Sequence, residues 1–320
     1  MRGGRYVVGL VLVAGWLGVG PEEIGPRPAR AQGNRDIPLN QETVTRSIMR
    51  ARRFLVSRQK KDGSWGSPVR STNPVGVSSL ALLALVHAGM ATDDASIRLS
   101  LSYLRRVRKP AETYDAALMI SALAAVKDGN RDQGDINTLA RQLQQNQIKS
   151  GPHAGLWDYT GPGPGDRSNG QFAILGLRDA AHAGVSVDRR VWERARQHWL
   201  RFQNRDGGWS YSGGQVGSTG SMTVAGIATL EITAAMLRDD RDLKPDGTPN
   251  CCAATVADAP LEGALAWMGR KFRVGVNPGS HSWLLYYLYG MERAGRLSGR
   301  RFFGEHDWYR EGAHYLINGQ

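Results

Sequence analysis

Gln59-Lys-Lys-Asp62-Gly63-Ser64-Trp65 and Gln203-Asn-Arg-Asp206-Gly207-Gly208-Trp209 share one pattern: a Gln followed six residues later by a Trp, with Asp-Gly between them. A looser copy runs from Gln147 through Gly155 to Trp157. Each Gln stands at the end of an amphipathic stretch, so the Asp-Gly pair predicts a tight turn after a helix, with the glycine at positive φ. The indole can then cover the turn, and the Gln amide can bond backbone groups left open at a neighbouring helix end. The pattern reads as a structural staple carried by Gln59, Asp62, Gly63 and Trp65, and again by Gln203, Asp206, Gly207 and Trp209.

Working outward from these turns, apolar residues recur at helical spacing and strand-like alternation is scarce, which predicts an all-α chain. Two kinds of helix alternate. Thr43–Gln59, Ile97–Arg108, Ile136–Gln147, Val187–Gln203, Leu261–Phe272 and Trp308–Gln320 are amphipathic and mostly Arg-bearing, as helices with one solvent face are. Val75–Ala88, Tyr114–Val126, Gln171–Ala183, Met222–Leu237 and Trp283–Ala294 are apolar nearly all round, as helices covered on every side are. Six outer and five inner helices at a repeat of roughly 50 residues fit a toroid or solenoid of helical pairs.

Gln-x-x-Asp-Gly-x-Trp resembles the QW motif of squalene and oxidosqualene cyclases, which recurs in looser form in protein prenyltransferases. The stretches Val77-Ser-Ser-Leu-Ala-Leu-Leu-Ala-Leu, Tyr114-Asp115-Ala-Ala-Leu and Asn169-Gly-Gln-Phe-Ala-Ile-Leu-Gly-Leu resemble inner helices of the same superfamily. The resemblance implies an α/α toroid over residues 41–320. It does not imply catalysis, because QW motifs are structural in that family and the scaffold also serves non-enzymes.

Squalene-hopene cyclases protonate an alkene with the middle carboxyl of Asp-x-Asp-Asp-Thr-Ala. The nearest match here is Glu112-Thr113-Tyr114-Asp115-Ala116-Ala117, which puts Tyr114 in the acid's place. A phenol with an ordinary pKa near ~10 is far too weak an acid for that step. Asp115 and Asp166 are the remaining catalytic candidates, and each also fits a helix-start carboxylate facing the helix dipole. The acidic runs Asp93-Asp94 and Asp239-Asp240-Arg241-Asp242 read as solvated turns rather than Mg²⁺ sites, and Cys252, Asp258 and His281 lack the spacing of a zinc site, so no metal and no cofactor are expected. The polar and aromatic residues that enter the inner helices predict a cavity lined by Tyr114, Asn169, Tyr211, His281, Trp283 and Tyr287, open to an apolar or glycan ligand.

The 320 residues carry a formal net charge of +12, with no long basic run interleaved with aromatics, so nucleic acid is not an expected partner. Arg2 and Arg5 precede fourteen mostly apolar residues from Tyr6 to Val19, and Ala29-Arg30-Ala31 offers a cleavage site. Residues 1–31 therefore read as a signal peptide, 32–40 as an N-terminal arm, and the protein as one exported from a bacterial cell to the periplasm or beyond. No second apolar span is expected to cross a membrane. The two cysteines, Cys251 and Cys252, are adjacent and cannot form an ordinary staple.

The functional expectation is a binding or interaction module on a cyclase-like toroid. The alternative is an enzyme on the same scaffold: a terpenoid cyclase with another acid, or a carbohydrate-active hydrolase or lyase using Asp115 and Asp166. His314-Tyr-Leu-Ile-Asn-Gly-Gln320 matches Arg53-Phe-Leu-Val-Ser-Arg-Gln59 without the turn that should follow. A sixth inner helix is thus missing, which predicts uncovered apolar faces on the first and fifth inner helices. A further C-terminal domain or a partner chain is expected to cover them.

Overall fold

The alternation of amphipathic and all-apolar stretches becomes an alternation of outer and inner helices. A computed structural model describes residues 36–66, 74–107, 109–128, 130–161, 163–211, 217–238 and 258–320. The signal-peptide stretch, Cys251, Cys252 and the run from Asp239 to Asp242 lie outside these residues. The outer helices are α1 (Gln41–Arg58), α3 (Ala95–Val107), α5 (Gln133–Asn146), α7 (Arg189–Arg201), α9 (Ala259–Lys271) and α11 (Trp308–Asn318). The inner ones are α2 (Val75–His87), α4 (Thr113–Val126), α6 (Arg167–His182), α8 (Gly220–Leu237) and α10 (Leu284–Leu297). A two-residue hairpin, β1 (Phe302–Phe303) and β2 (His306–Asp307), precedes α11.

Burial follows the sequence pattern. In α1 only Val44, Ser47, Ala51 and Leu55 are buried, one stripe at steps of three and four, whereas α4 buries eleven residues around its circumference. The inner helices pack in chain order, α2 on α4, α4 on α6, α6 on α8 and α8 on α10. Gly176 lets α6 come close to α4, since a Cβ there would lie 2.7 Å from the Cα of Ala117. Among the described residues one helix, Gly220–Leu237, is long and apolar enough to cross a membrane, but it is a mostly buried member of this ring.

The three Gln-to-Trp turns share one geometry. Gly63 and Gly207 both adopt φ +94°, and the looser copy's Gly155 adopts φ +91°. Trp65, Trp157 and Trp209 have no exposed surface, and their indole N–H groups donate to Leu55 O (2.8 Å), Leu143 O (2.6 Å) and Trp199 O (2.9 Å) in the helix just ended. Each Gln amide reaches the next outer helix: Gln59 to Ser96 O (3.0 Å), Gln147 to Val191 O (2.9 Å) and Gln203 to Pro260 O (2.7 Å). The staple therefore joins consecutive repeats as well as closing its own turn. Between α3 and α5, where no such motif occurs, Arg105 grips Asp132 with Nε at 2.7 Å and Nη2 at 2.8 Å.

Among the described residues five inner helices form, as expected, while the first and last outer helices meet at a seam. Gln320 Oε1 accepts from the Ser47 hydroxyl at 2.7 Å and its Nε2 donates to Ser47 O at 3.3 Å, whereas Gln59 Nε2 donates to the Ser100 hydroxyl at 2.9 Å; in both cases a Gln pairs with a Ser on an outer helix, here joining the sixth to the first. Asn318 and Ile37 exchange two further hydrogen bonds across this seam. Inside it, His87 at the end of α2 lies within electrostatic reach of Arg293 and Arg296 on α10. No large apolar side chain within α2 or α10 is exposed; Val77, Leu80, Leu284 and Leu285 are half-buried.

Candidate functional site

The Trp of each staple also fixes where the next inner helix begins. Trp157 O accepts from Asp166 N–H at 3.0 Å and Trp209 O from Thr219 N–H at 2.8 Å, and Asp166 and Thr219 are the N-caps of α6 and α8. The inner-helix starts are thereby gathered at one end of the ring, where the macrodipoles place partial positive charge.

Between them stands a cluster of rings. Tyr114 stacks on Tyr159 at 5.9 Å and meets Phe172 at 4.6 Å, and Phe172 lies 6.2 Å from Tyr286 and 6.1 Å from Tyr289, parallel to the latter within 1°. Gln171 donates to the Tyr286 hydroxyl, and the Tyr114 hydroxyl adjoins both Tyr286 and Ser168. Deeper along α10, the Arg293 guanidinium lies 4.7 Å from the centre of the Tyr289 ring and donates to its hydroxyl at 3.1 Å. Burial opposes the Arg293 charge, but Tyr289 and Glu292 outweigh it. Tyr286, Tyr289 and Arg293 follow one another at steps of three and four, hence on one face of α10. Tyr114, Tyr286, Tyr289 and Arg293 are half-buried and keep some accessible surface.

Electrostatically this cluster offers phenols that stay protonated. Burial drives the Tyr114 and Tyr286 hydroxyls well above the ordinary phenol range and pushes Tyr211 up to about 12. They can donate and accept hydrogen bonds or present π faces; they cannot act as strong acids.

Of the residues picked from sequence, Tyr114 joins the cluster and Tyr211 stands beside it, within reach of Tyr286 and Asp166. Asn169 is fully buried, and its backbone N–H donates to Asp166 at 2.7 Å. Tyr287 is placed elsewhere: it is fully buried against Gly220, where a Cβ would approach its ring to 2.8 Å. His281 is exposed, and Trp283 is 44% exposed at the start of α10. Phe172, Gln171, Tyr289 and Arg293 were missed by sequence reasoning; the spacing of Tyr286, Tyr289 and Arg293 was the available signal for the last two.

Both candidate carboxylates sit at helix starts. Asp166 Oδ1 accepts from Ser168 Oγ (2.7 Å), Asn169 N (2.7 Å) and Asn169 Nδ2 (3.2 Å), which is a helix cap. Asp115 is buried in the first turn of α4, its Oδ1 seated where a side chain on Gly76 would collide at 2.4 Å, and its field reaches Tyr103 on the outer helix α3. Among the described residues no group of three His, Cys, Asp or Glu side chains is arranged to hold a metal ion. Asp258 is instead paired with Arg196.

This ring of alternating helices is an α/α toroid, a fold seen also in terpene cyclases of known structure. The chain is similar to the ent-copalyl diphosphate synthase of Streptomyces platensis, with a TM-score of 0.51 and 15% identity over 92% of this chain and 50% of that one. It is also similar to the type II terpene cyclase MstE from Scytonema, with a TM-score of 0.49 and 16% identity over 86% of this chain and 69% of that one. The chain thus spans half the length of the synthase, and the likeness is one of fold. No protein-family model and no curated protein matches it.

Proposed function

We propose that this cyclase-like ring is an exported binding module that holds an apolar ligand on its axis without protonating it. The observation that carries this reading is the chemistry at Tyr114. Where the resemblance calls for an acidic carboxyl there is a buried phenol, and the adjacent carboxylates Asp115 and Asp166 are committed to helix starts. Aromatic faces with a few polar anchors suit an apolar ligand. The Arg2, Arg5 and Ala29-Arg30-Ala31 pattern supports work outside the cytoplasm.

The test is to incubate purified protein with squalene and with farnesol, follow binding by calorimetry and analyse the recovered lipid by mass spectrometry. Saturable binding with unchanged lipid is the expected outcome. A polycyclic product from the wild type would overturn the reading, whereas product formed only by Tyr114→Asp would identify a cyclase site that lacks its acid.

A further inference from the structure

From residue 43 to residue 61 the chain carries seven cations and no carboxylate. Elsewhere on the outer helices arginines tie one repeat to the next: Arg194 donates to Gln147 at 2.8 Å, Arg270 to Asp206 O at 3.0 Å, and Arg196 pairs with Asp258. On α1 they do not. Arg50, Arg53, Lys60 and Lys61 are exposed and have no hydrogen bond or ion pair with any described residue, and Arg46 pairs only with Glu42 one turn back, where both are largely in solvent. Like charges at steps of three and four repel along a helix, so the row works against α1 rather than for it. The helix dipole accounts for cations in the last turn but not for Arg46, Arg50 and Arg53.

Arg46, Arg50 and Arg53 follow one another on the side of α1 away from its buried stripe, and Lys60 and Lys61 carry the row into the turn. Exposed apolar side chains stand beside it. Met49 and Val56, seven residues apart, lie on the side away from Ser47 and its seam with Gln320, hence towards α3, where Leu99 abuts Gly63 of the same turn. All three are 38 to 40% exposed. An acidic polymer would match the charges alone. Cations interleaved with apolar side chains match a bilayer with anionic headgroups, the charged ends meeting phosphate and the apolar ends reaching the acyl boundary. We propose that α1 and the turn after it are a docking surface for an anionic lipid bilayer. The helix lies on the bilayer rather than in it, because its own apolar stripe of Val44, Ala51 and Leu55 is packed in the ring core. The proposal is independent of any ligand held on the axis.

Co-sedimentation of the purified protein with vesicles of phosphatidylcholine alone, and of phosphatidylcholine with an equal part of phosphatidylglycerol, tests it, with thermal unfolding measured in parallel. The expected result is binding at least about tenfold tighter to the anionic vesicles, a preference lost at about 1 M salt, where charges are screened beyond about 3 Å. Each cation removed from the row should weaken binding about fivefold, so Arg50→Gln with Arg53→Gln should lose about 25-fold at an unchanged unfolding temperature. Arg141→Gln with Arg190→Gln removes the same charge from exposed sites on α5 and α7 and should stay within about twofold of the wild type. Met49→Ser with Val56→Ser should weaken binding a few-fold at unchanged salt dependence. Equal losses from the two arginine pairs, or equal binding to both kinds of vesicle, would overturn the proposal. Binding to dextran sulfate but not to anionic vesicles would make the occupant an acidic polymer and overturn it as well.

Discussion

The turn that ends α7 and the axis beside α10 are both built from aromatic rings, and they differ in almost everything else. At the turn, Trp209 is fully buried, its indole N–H and backbone N–H have partners at 2.9 and 3.2 Å, and its ring lies against Gly226, where a Cβ would come within 2.5 Å. On the axis, Tyr114, Tyr286, Tyr289 and Phe172 touch at centroid separations of 4.6 to 6.2 Å and keep accessible surface in three of the four cases. A ring closed on every side holds the fold. A ring left partly open is available to something else.

The strongest way to break this contrast is to remove rings from both places. Trp209→Ala and Trp65→Ala are expected to cost about 3 to 5 kcal/mol each, while Tyr286→Ala, whose ring keeps accessible surface, should cost less, about 1 to 2 kcal/mol. Denaturant unfolding at matched protein concentration reads both. Equal losses would mean that the axis is packed core.

Acid supplies a second, somewhat smaller difference. His198, at the turn side, and His87, at the inner end of α2, are each held down to about 4, chiefly by burial and then by neighbouring arginines. A His whose folded pKa lies below the unfolded value of about 6.5 contributes fully above that value, and its contribution is lost as pH falls from about 6.5 towards 4. For His198, 5% exposed, the loss approaches about 3 kcal/mol. Half-buried His87 should lose less, because solvent screens it. Stability measured at steps across this window should fall more for the wild type than for His198→Asn, and parallel curves would refute the assignment.

The fold was legible in the sequence because its signals are local. Amphipathic spacing marked α1, all-apolar spacing marked α2 and α4, and the Asp-Gly turns marked the repeat. The axis was legible only in part. Which of Tyr286, Tyr287 and Tyr289 faces inward depends on the rotation of α10, and that is set by Gly220 receiving the Tyr287 ring from a helix start more than sixty residues away. The meeting of the first and last outer helices was hidden for a similar reason, since Gln320 was recognisable as a repeat Gln but its partner, Ser47, lies at the other end of the chain.

The smallest expected effect sharpens the comparison among the staples themselves. Gln203→Ala removes donors to Gly207 O and Pro260 O, both at 2.7 Å, and Gln59→Ala removes donors to Ser96 O, Ser100 Oγ and Gly63 O at 2.9 to 3.2 Å. Each should cost about 1 to 2 kcal/mol, with the carbonyls turning to water. A double variant with the facing Ser100→Ala should show coupling for Gln59 and none for Gln203, read from the same unfolding curves.

The seam between α1 and α11 sets the order of folding events. Ser47 and Gln320 are 273 residues apart. Bringing such distant points of an open chain together costs about 5 kcal/mol in loop entropy, more than the four hydrogen bonds of Gln320 with Ser47 and of Asn318 with Ile37, worth about 1 kcal/mol each, can offset. The seam therefore has to wait until the intervening repeats have stacked and shortened the path between its sides. It is the last contact made and the first released, so amide exchange at the end of α11 should proceed through local opening while the stapled turns exchange only on global unfolding.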